Sequence, residues 1–216
     1  MPDPLVDRFR ELGRLRLFDV NEVLFFEGEV ADSVFVVESG LVKVYVSAPS
    51  GDELILGLYG SGEVLGEMSG LGDGVRSATG IGHTPGRVTE IPGHRFRDFL
   101  DRHPDAMVHM LSVVQQRLRR ADRERLSYLS DDVSGRVARK LVSWAHSHGS
   151  PRDDGTIVIA RITRRELAQS VAASEKTVDD VLTILSAAGL IATGRRRFVL
   201  LDARRLQRWA DDRRTR

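Results

Sequence analysis

The amino-acid sequence predicts an α+β chain: a small antiparallel β barrel or sandwich over 1–102, a long helix over 103–130, and a helix-turn-helix module with a β wing over 131–216. Three observations carry that prediction. Residues 20–92 are short β-rich pieces separated by Gly and Pro at close spacing. Past Pro104 neither residue recurs until Gly135, and the apolar spacing becomes helical. The charge also reverses: residues 1–107 hold 10 Arg and Lys against 18 Asp and Glu, net −8, whereas residues 108–216 hold 22 against 13, net +9.

The β-rich pieces are "EVLFF", "SVFVVES", "LVKVYVS", "ELILGLY", "ATGIGH" and "RVTEIP", punctuated by Gly28, Gly40, Gly51, Gly60, Gly62, Pro85 and Gly86. Short strands at even spacing make a barrel or sandwich. Pro104 suits the first turn of the helix that follows, since its missing N–H has no partner there anyway. Along that helix Met107, Leu111, Val114, Leu118, Ala121, Arg125 and Tyr128 alternate at spacings of four and three, a heptad seam. Such a seam packs either on the chain's own barrel or on a second copy. Small Ala121 and charged Arg125 are poor core residues, which favours the second copy and a homodimer.

Next, "DDVSGRVARKLVSWAHSH" places Val133, Val137, Leu141 and Trp144 on one helical stripe. The loop "GSPRDDGT" and the strand "IVIA" lead to Thr163 and Glu166, spaced as a capping box at the start of "TRRELAQSV". Small residues "AAS" interrupt the helix, and "EKTVDDVLTILSAAG" resumes it with Val178, Val181, Leu182 and Leu185 before the closing Gly189. The tail "LIATGRRRFVLLD" reads as two strands about a Thr-Gly turn carrying Arg195, Arg196 and Arg197. Helix, tight turn, helix and hairpin make a winged helix-turn-helix.

Composition excludes several functions. With 0 Cys, disulfides, thiolate nucleophiles, zinc–thiolate sites and cysteine-ligated iron–sulfur clusters are ruled out. His83, His94, His103 and His109 lack the converging spacing of a cupin-type metal enzyme, so neither metal site nor catalytic site is expected. The longest stretch free of Asp, Glu, Lys and Arg, "VLTILSAAGLIATG", is short of the roughly 18 apolar residues a membrane span needs. The charged start "MPDPLVDRFRELGRLRLF" has no apolar run of a secretory signal, so a cytoplasmic protein is expected.

The loop "GEMSGLGDGVRSATG", Gly66 to Gly80, sets an acid at its head and Arg-Ser near its end. A barrel with such a loop, a long dimer helix and a winged helix-turn-helix, in that order from about Val20 to Asp202, resembles the catabolite activator (Crp/Fnr) family of bacterial transcription factors. The resemblance implies a cyclic-nucleotide-type jelly-roll barrel whose loop, Gly66, Glu67, Arg76 and Ser77, is a phosphate cassette. The residues suit that chemistry. Arg76 can meet phosphate oxygens with a planar fork while Ser77 donates a further hydrogen bond, glycines admit backbone amides, and Glu67 can accept from a ribose hydroxyl. The alternative is that Glu67 and Arg76 pair with each other as an exposed ion pair.

In the family's cyclic-AMP receptors two adjacent polar residues of the long helix reach the adenine. Counting from Pro104-Asp105 and from Asp132-Val133-Ser134-Gly135-Arg136, that pair falls on Ala121 and Asp122. Ala121 offers no hydrogen bond, and an ionised Asp122 accepts from adenine's amine but suits guanine's two N–H donors better. The effector expected is cAMP, narrowly ahead of cGMP, another nucleotide or a ligand-free pocket; no tightly bound cofactor is expected. A ligand-free member would act constitutively on DNA or as a protein-contact or sequestering subunit.

The reading helix departs from the family's basic pattern. Here it runs Ser174-Glu175-Lys176-Thr177-Val178-Asp179-Asp180. Glu175, Asp179 and Asp180 repel phosphates but can accept from cytosine N4, while Arg164, Arg165 and the wing arginines Arg195, Arg196 and Arg197 suit phosphate contacts. The expected partners are a two-fold symmetric double-stranded DNA operator, a second copy of the chain and RNA polymerase, the last near "SHGSPRDDGT"; no membrane partner is expected.

Overall fold

The apolar run Val34-Phe35-Val36-Val37 lies at the centre of the first of two units into which the computed structural model divides. One unit ends at Arg120 and the other begins at Ala121, both within one continuous helix. The structure describes residues 4–68 and 74–213, so the middle of the glycine-rich loop, 69–73, lies outside the described residues.

In the first unit, α1 (Pro4–Arg10) precedes β1 (Arg14–Phe18), β2 (Val23–Phe25), β3 (Ser33–Ser47), β4 (Glu53–Tyr59), β5 (Val64–Leu65) and β6 (Thr79–Pro92), followed by α2 (Gly93–Arg102) and α3 (Pro104–Ser130). All pairings are antiparallel, in the order β1-β6-β3-β4, with β2 also on β6 and β5 on β3. Because side chains alternate along a strand, β3 serves two cores. Val34 and Val36 meet Val6 and Phe9 of α1, Phe96 and Leu100 of α2, and Ala106 and Met110 of α3. Phe35 and Val37 face the barrel interior with Phe18, Phe25, Leu65 and Val88. Burial on both faces explains why the run is continuously apolar rather than alternating.

Several predicted boundaries move. "SVFVVES" and "LVKVYVS" are one strand, as are "ATGIGH" and "RVTEIP". Gly40, Pro85 and Gly86 are bulge residues rather than turns: the β3–β6 register shifts around Gly40, whose φ is +80°, and a Cβ there would come within 2.6 Å of the Pro85 carbonyl oxygen. Strand β1 begins ahead of the expected start because its arginines and outward Leu15 and Leu17 read as a charged segment. Helix α2 ends at His103, just before Pro104 opens α3.

The second unit holds the end of α3, then α4 (Val133–His148), β7 (Ser150–Pro151), β8 (Ile157–Ala160), α5 (Arg164–Ser170), α6 (Glu175–Ala187), β9 (Ile191–Gly194), β10 (Arg197–Leu200) and α7 (Ala203–Asp211). Its sheet runs β7-β8-β10-β9. Asp132 caps α4 by accepting from the Gly135 N–H at 2.7 Å, and Val137, Leu141 and Trp144 are buried. Glu124 pairs with Lys140 at 2.7 Å, and buried Asp131 pairs with Arg139, so the last turns of α3 are tied to α4. The hairpin turn is Arg195-Arg196 rather than Thr-Gly: Gly194 pairs with Arg197 across the strands, and Arg196 takes the left-handed conformation at φ +53°. Helix α7 was not expected: Asp202 caps it by accepting from the Arg205 N–H at 2.8 Å, and Leu206 and Ala210 are its buried face.

Candidate functional site

Two of the predicted cassette residues are charged and buried, and both are held by groups the sequence did not point to. Arg76 lies inside the barrel with its guanidinium 4.8 Å from the Phe25 ring and 5.7 Å from that of Phe35. Nη2 donates to the Ser33 carbonyl at 2.7 Å and to Ser33 Oγ at 3.1 Å, and Nη1 donates to the Gly66 carbonyl at 3.4 Å. Ser33 Oγ in turn donates to Asp32 at 3.0 Å. Among the described residues no carboxylate forms an ion pair with Arg76. Burial pushes the Arg76 pKa down from its ordinary value, against the opposing fields of Asp32, Glu29, Glu67 and Glu90. A guanidinium enclosed over two aromatic faces, with three neutral oxygens as its hydrogen-bond partners, has the chemistry to pair with an anion.

Gly66 makes room for that arrangement. Its φ is +77°, and a Cβ there would stand 2.3 Å from Arg76 Nη1. Ser77 is exposed beside Arg76.

Glu67, only 1% exposed, does not pair with Arg76, which sets aside the exposed Glu67–Arg76 pair as a reading of this loop. Its partner is Arg117 of α3, whose Nη1 donates to Oε1 at 2.5 Å while Nη2 reaches the Val64 carbonyl. The Arg117 guanidinium also stacks 4.9 Å over the Tyr59 ring. Arg117, Ser33, Phe25 and Phe35 were all missed from the sequence, because each is brought to the cassette from a distant segment. Ala121 and Asp122 belong to the second unit; Asp122 is exposed, 3.5 Å from Arg125 of the next turn.

A cavity of about 280 Å³ opens beside Ser33, lined by Gly13, Arg14, Asp32, Glu90, Pro92 and Arg95. No predicted site residue lines it. Among the described residues no cluster of His, Cys, Asp or Glu is placed to hold a metal ion, and no helix is long and apolar enough to cross a membrane.

In the second unit Thr163 caps α5 by accepting from the Glu166 N–H while Glu166 accepts from the Thr163 N–H, so the predicted capping box forms. Ser174 caps α6 by accepting from the Thr177 N–H at 3.1 Å. That fixes Glu175, Lys176 and Asp180 on the exposed side of α6, with Val178 buried beneath. Arg164 and Asp179, expected to act separately on phosphate and base, form one ion pair: Arg164 Nη1 donates to Asp179 Oδ1 at 2.9 Å. Arg165, Arg195, Arg196 and Arg197 are exposed.

Residues 15–103 match the cyclic nucleotide-binding domain family, and residues 135–209 match the Crp-like helix-turn-helix domain family. A CRP-like cAMP-activated global transcriptional regulator of Mycobacterium tuberculosis is 30% identical over 193 residues, spanning 89% of this chain and 86% of the relative. The chain belongs to the Crp/Fnr family of transcriptional regulators. The cAMP-activated regulator CRP of Pasteurella multocida is 28% identical over 204 residues, 94% of this chain and 97% of the relative. Among solved structures, the c-di-GMP responsive global regulator CLP of Xanthomonas campestris superposes with a TM-score of 0.77 at 25% identity, over 92% of this chain and 98% of that one. A Crp/Fnr-family regulator of Thermus thermophilus shares the fold with a TM-score of 0.78 at 24% identity, over 93% and 100%. These Crp/Fnr relatives are regulators rather than enzymes.

In this Crp/Fnr chain the predicted seam of α3 is open. Met107, Leu111, Leu118 and Tyr128 are exposed, Val114 and Ala121 half-buried, and only Ala106 and Met110 of the helix are buried. A straight helix drifts about 20° per heptad from a seven-residue repeat, and the exposed apolar residues instead form a straight stripe in which Val108 and Leu126, like Leu111 and Leu129, stand about five turns apart. Val108, Leu126 and Leu129 join the open stripe, whereas Tyr128 lies under the Arg136 guanidinium, 5.3 Å from its ring. Arg125 stands outside with Asp122.

Proposed function

We propose that this Crp/Fnr regulator is a cytoplasmic homodimer that binds a cyclic nucleotide, cAMP ahead of cGMP, in its barrel and presents two winged helix-turn-helix units to a two-fold symmetric operator beside RNA polymerase. The observation that carries the effector is buried Arg76, a cation whose hydrogen-bond partners are neutral oxygens and which no carboxylate pairs directly among the described residues. A cyclic phosphate supplies that charge, and Ser77 adds a donor from the exposed side. Arg117 fixes one oxygen of Glu67, leaving the other to accept from the ribose 2′-hydroxyl. Support for cAMP comes from the relatives of Mycobacterium tuberculosis and Pasteurella multocida, described as cAMP-activated. Asp122 gives cGMP its claim, since a carboxylate suits guanine's paired donors, and the c-di-GMP responsive relative of Xanthomonas campestris extends the test to a cyclic dinucleotide.

Calorimetry of the full chain against cAMP, cGMP and c-di-GMP tests this reading. One of the three is expected to bind, with Arg76→Gln weakening it by about 10- to 100-fold, the weight of a charge-assisted hydrogen bond. Heat from none of them, or equal affinity in the variant, overturns it. The homodimer is supported by the open stripe Val108, Leu111, Leu118, Leu126 and Leu129, which water disfavours. Sedimentation is expected to give a dimer that the double substitution Leu111→Asp, Leu118→Asp converts to monomer; a monomeric unmodified chain at micromolar concentration removes the idea.

A further inference from the structure

The Arg164–Asp179 pair joins the first residue of α5 to the second turn of the reading helix α6. Both side chains are about half exposed, 51% and 45%, so each is reachable by a new partner. Arg164 suits a phosphate, for which a guanidinium supplies a planar fork. Asp179 can accept only, and in a major groove the donor that suits a carboxylate is the cytosine N4 amine. While the two hold each other, the pair is neutral: the single Nη1–Oδ1 bond leaves Arg164 other N–H donors and Asp179 its second oxygen, but Arg164 brings no net charge to neutralise a phosphate. Exposed ion pairs are weak, so one correct partner is enough to open it. The remaining acids of the reading face, Glu175 and Asp180, keep the local field unfavourable to an arbitrary backbone, with Lys176 the cation among them.

We propose that Asp179 gates Arg164: on random DNA the pair stays closed and Arg164 makes no phosphate contact, whereas a cytosine amine at the Asp179 position takes the carboxylate and releases the guanidinium to a phosphate. A base contact and a phosphate contact then appear together. Discrimination arises because wrong sequences lose both. The proposal rests on the winged helix-turn-helix setting α6 in the major groove.

The test is the salt dependence of binding by the full chain, by fluorescence anisotropy with and without cAMP. One probe is a 30-base-pair duplex of random sequence, about three helical turns, and the other a duplex chosen by the unmodified protein from random DNA. Each phosphate contact contributes about 0.9 to the slope of log K against log salt. On random DNA the unmodified protein and Arg164→Gln should share one slope. Asp179→Asn should be steeper by about 0.9 for each Arg164 released, about 1.8 for a dimer with both units on the duplex, hence about 60-fold tighter at 0.1 M salt. The double variant Arg164→Gln, Asp179→Asn should return to the original slope. On the chosen duplex, where both half-sites are engaged, the unmodified protein should exceed Arg164→Gln by about 1.8. If Arg164→Gln lowers the slope on random DNA, Arg164 is an ungated phosphate contact and the proposal fails. If the double variant stays as steep as Asp179→Asn, loss of repulsion alone explains the gain, and it fails equally. Those results leave the DNA-binding role standing; retention of neither duplex at low salt removes that role and the gate with it. The pair is exposed, so circular dichroism melts of all variants should coincide.

Discussion

The two units place their functional charges in opposite environments. In the barrel unit Arg76 and Glu67 are buried, at 4% and 1% exposure, and their partners are set by packing: Ser33, Phe25 and Phe35 for the one, Arg117 and Tyr59 for the other. In the DNA-binding unit Arg164 and Asp179 pair across an exposed surface where water competes for both. The same chemical interaction therefore has two uses. A buried pair holds geometry because breaking it strands a charge away from water, whereas an exposed pair can be exchanged for a ligand at little cost. The proposed effector site needs the first property and the proposed DNA-reading face the second.

The largest effect that would break this contrast is at Glu67. Glu67→Ala leaves Arg117 half-buried without its carboxylate and is expected to destabilise the barrel unit by about 3–5 kcal/mol in urea denaturation. Glu67→Gln keeps a hydrogen-bond acceptor for Arg117 and sharpens the contrast, with a loss of about 1–3 kcal/mol. A loss below about 1 kcal/mol for the alanine variant would mean that water reaches Glu67 and that the two units do not differ. At the other extreme, Arg164→Gln or Asp179→Asn is expected to change stability by less than about 0.5 kcal/mol. A larger loss in either, measured the same way, would show that the exposed pair is structural and unfit for exchange.

The legibility of the two units follows the same division. Signals that act over one or two turns of chain were readable. Thr163 and Glu166 form their capping box, and the helix broken at "AAS" resumes at Glu175. The DNA-binding unit is built largely from such local signals, so α4, α5 and α6 fall where expected, while α7 does not follow from the sequence reading. The barrel was readable as a class, yet Gly40 and the Pro85-Gly86 pair were taken for turns when they are bulges within long strands. A bulge and a turn use the same residues, and only the strand opposite decides between them. The seam of α3 was legible as a repeat, but the straight stripe that includes Val108, Leu126 and Leu129 was not, because a heptad spacing and straight helical turns select different residues.

By itself the sequence determined the order of barrel, long helix and winged helix-turn-helix, the Gly66-Glu67 and Arg76-Ser77 ends of the glycine-rich loop, the reversal of charge between halves and the acids Glu175, Asp179 and Asp180 of α6. These are properties of residues near one another in the chain. Tertiary structure alone decided that Arg76 is caged by Phe25, Phe35 and Ser33, that Glu67 answers to Arg117, and that Arg164 and Asp179 neutralise one another. Each of those partners is distant in sequence, and no local propensity encodes which side chains a closed barrel or a tight turn will bring within a hydrogen bond.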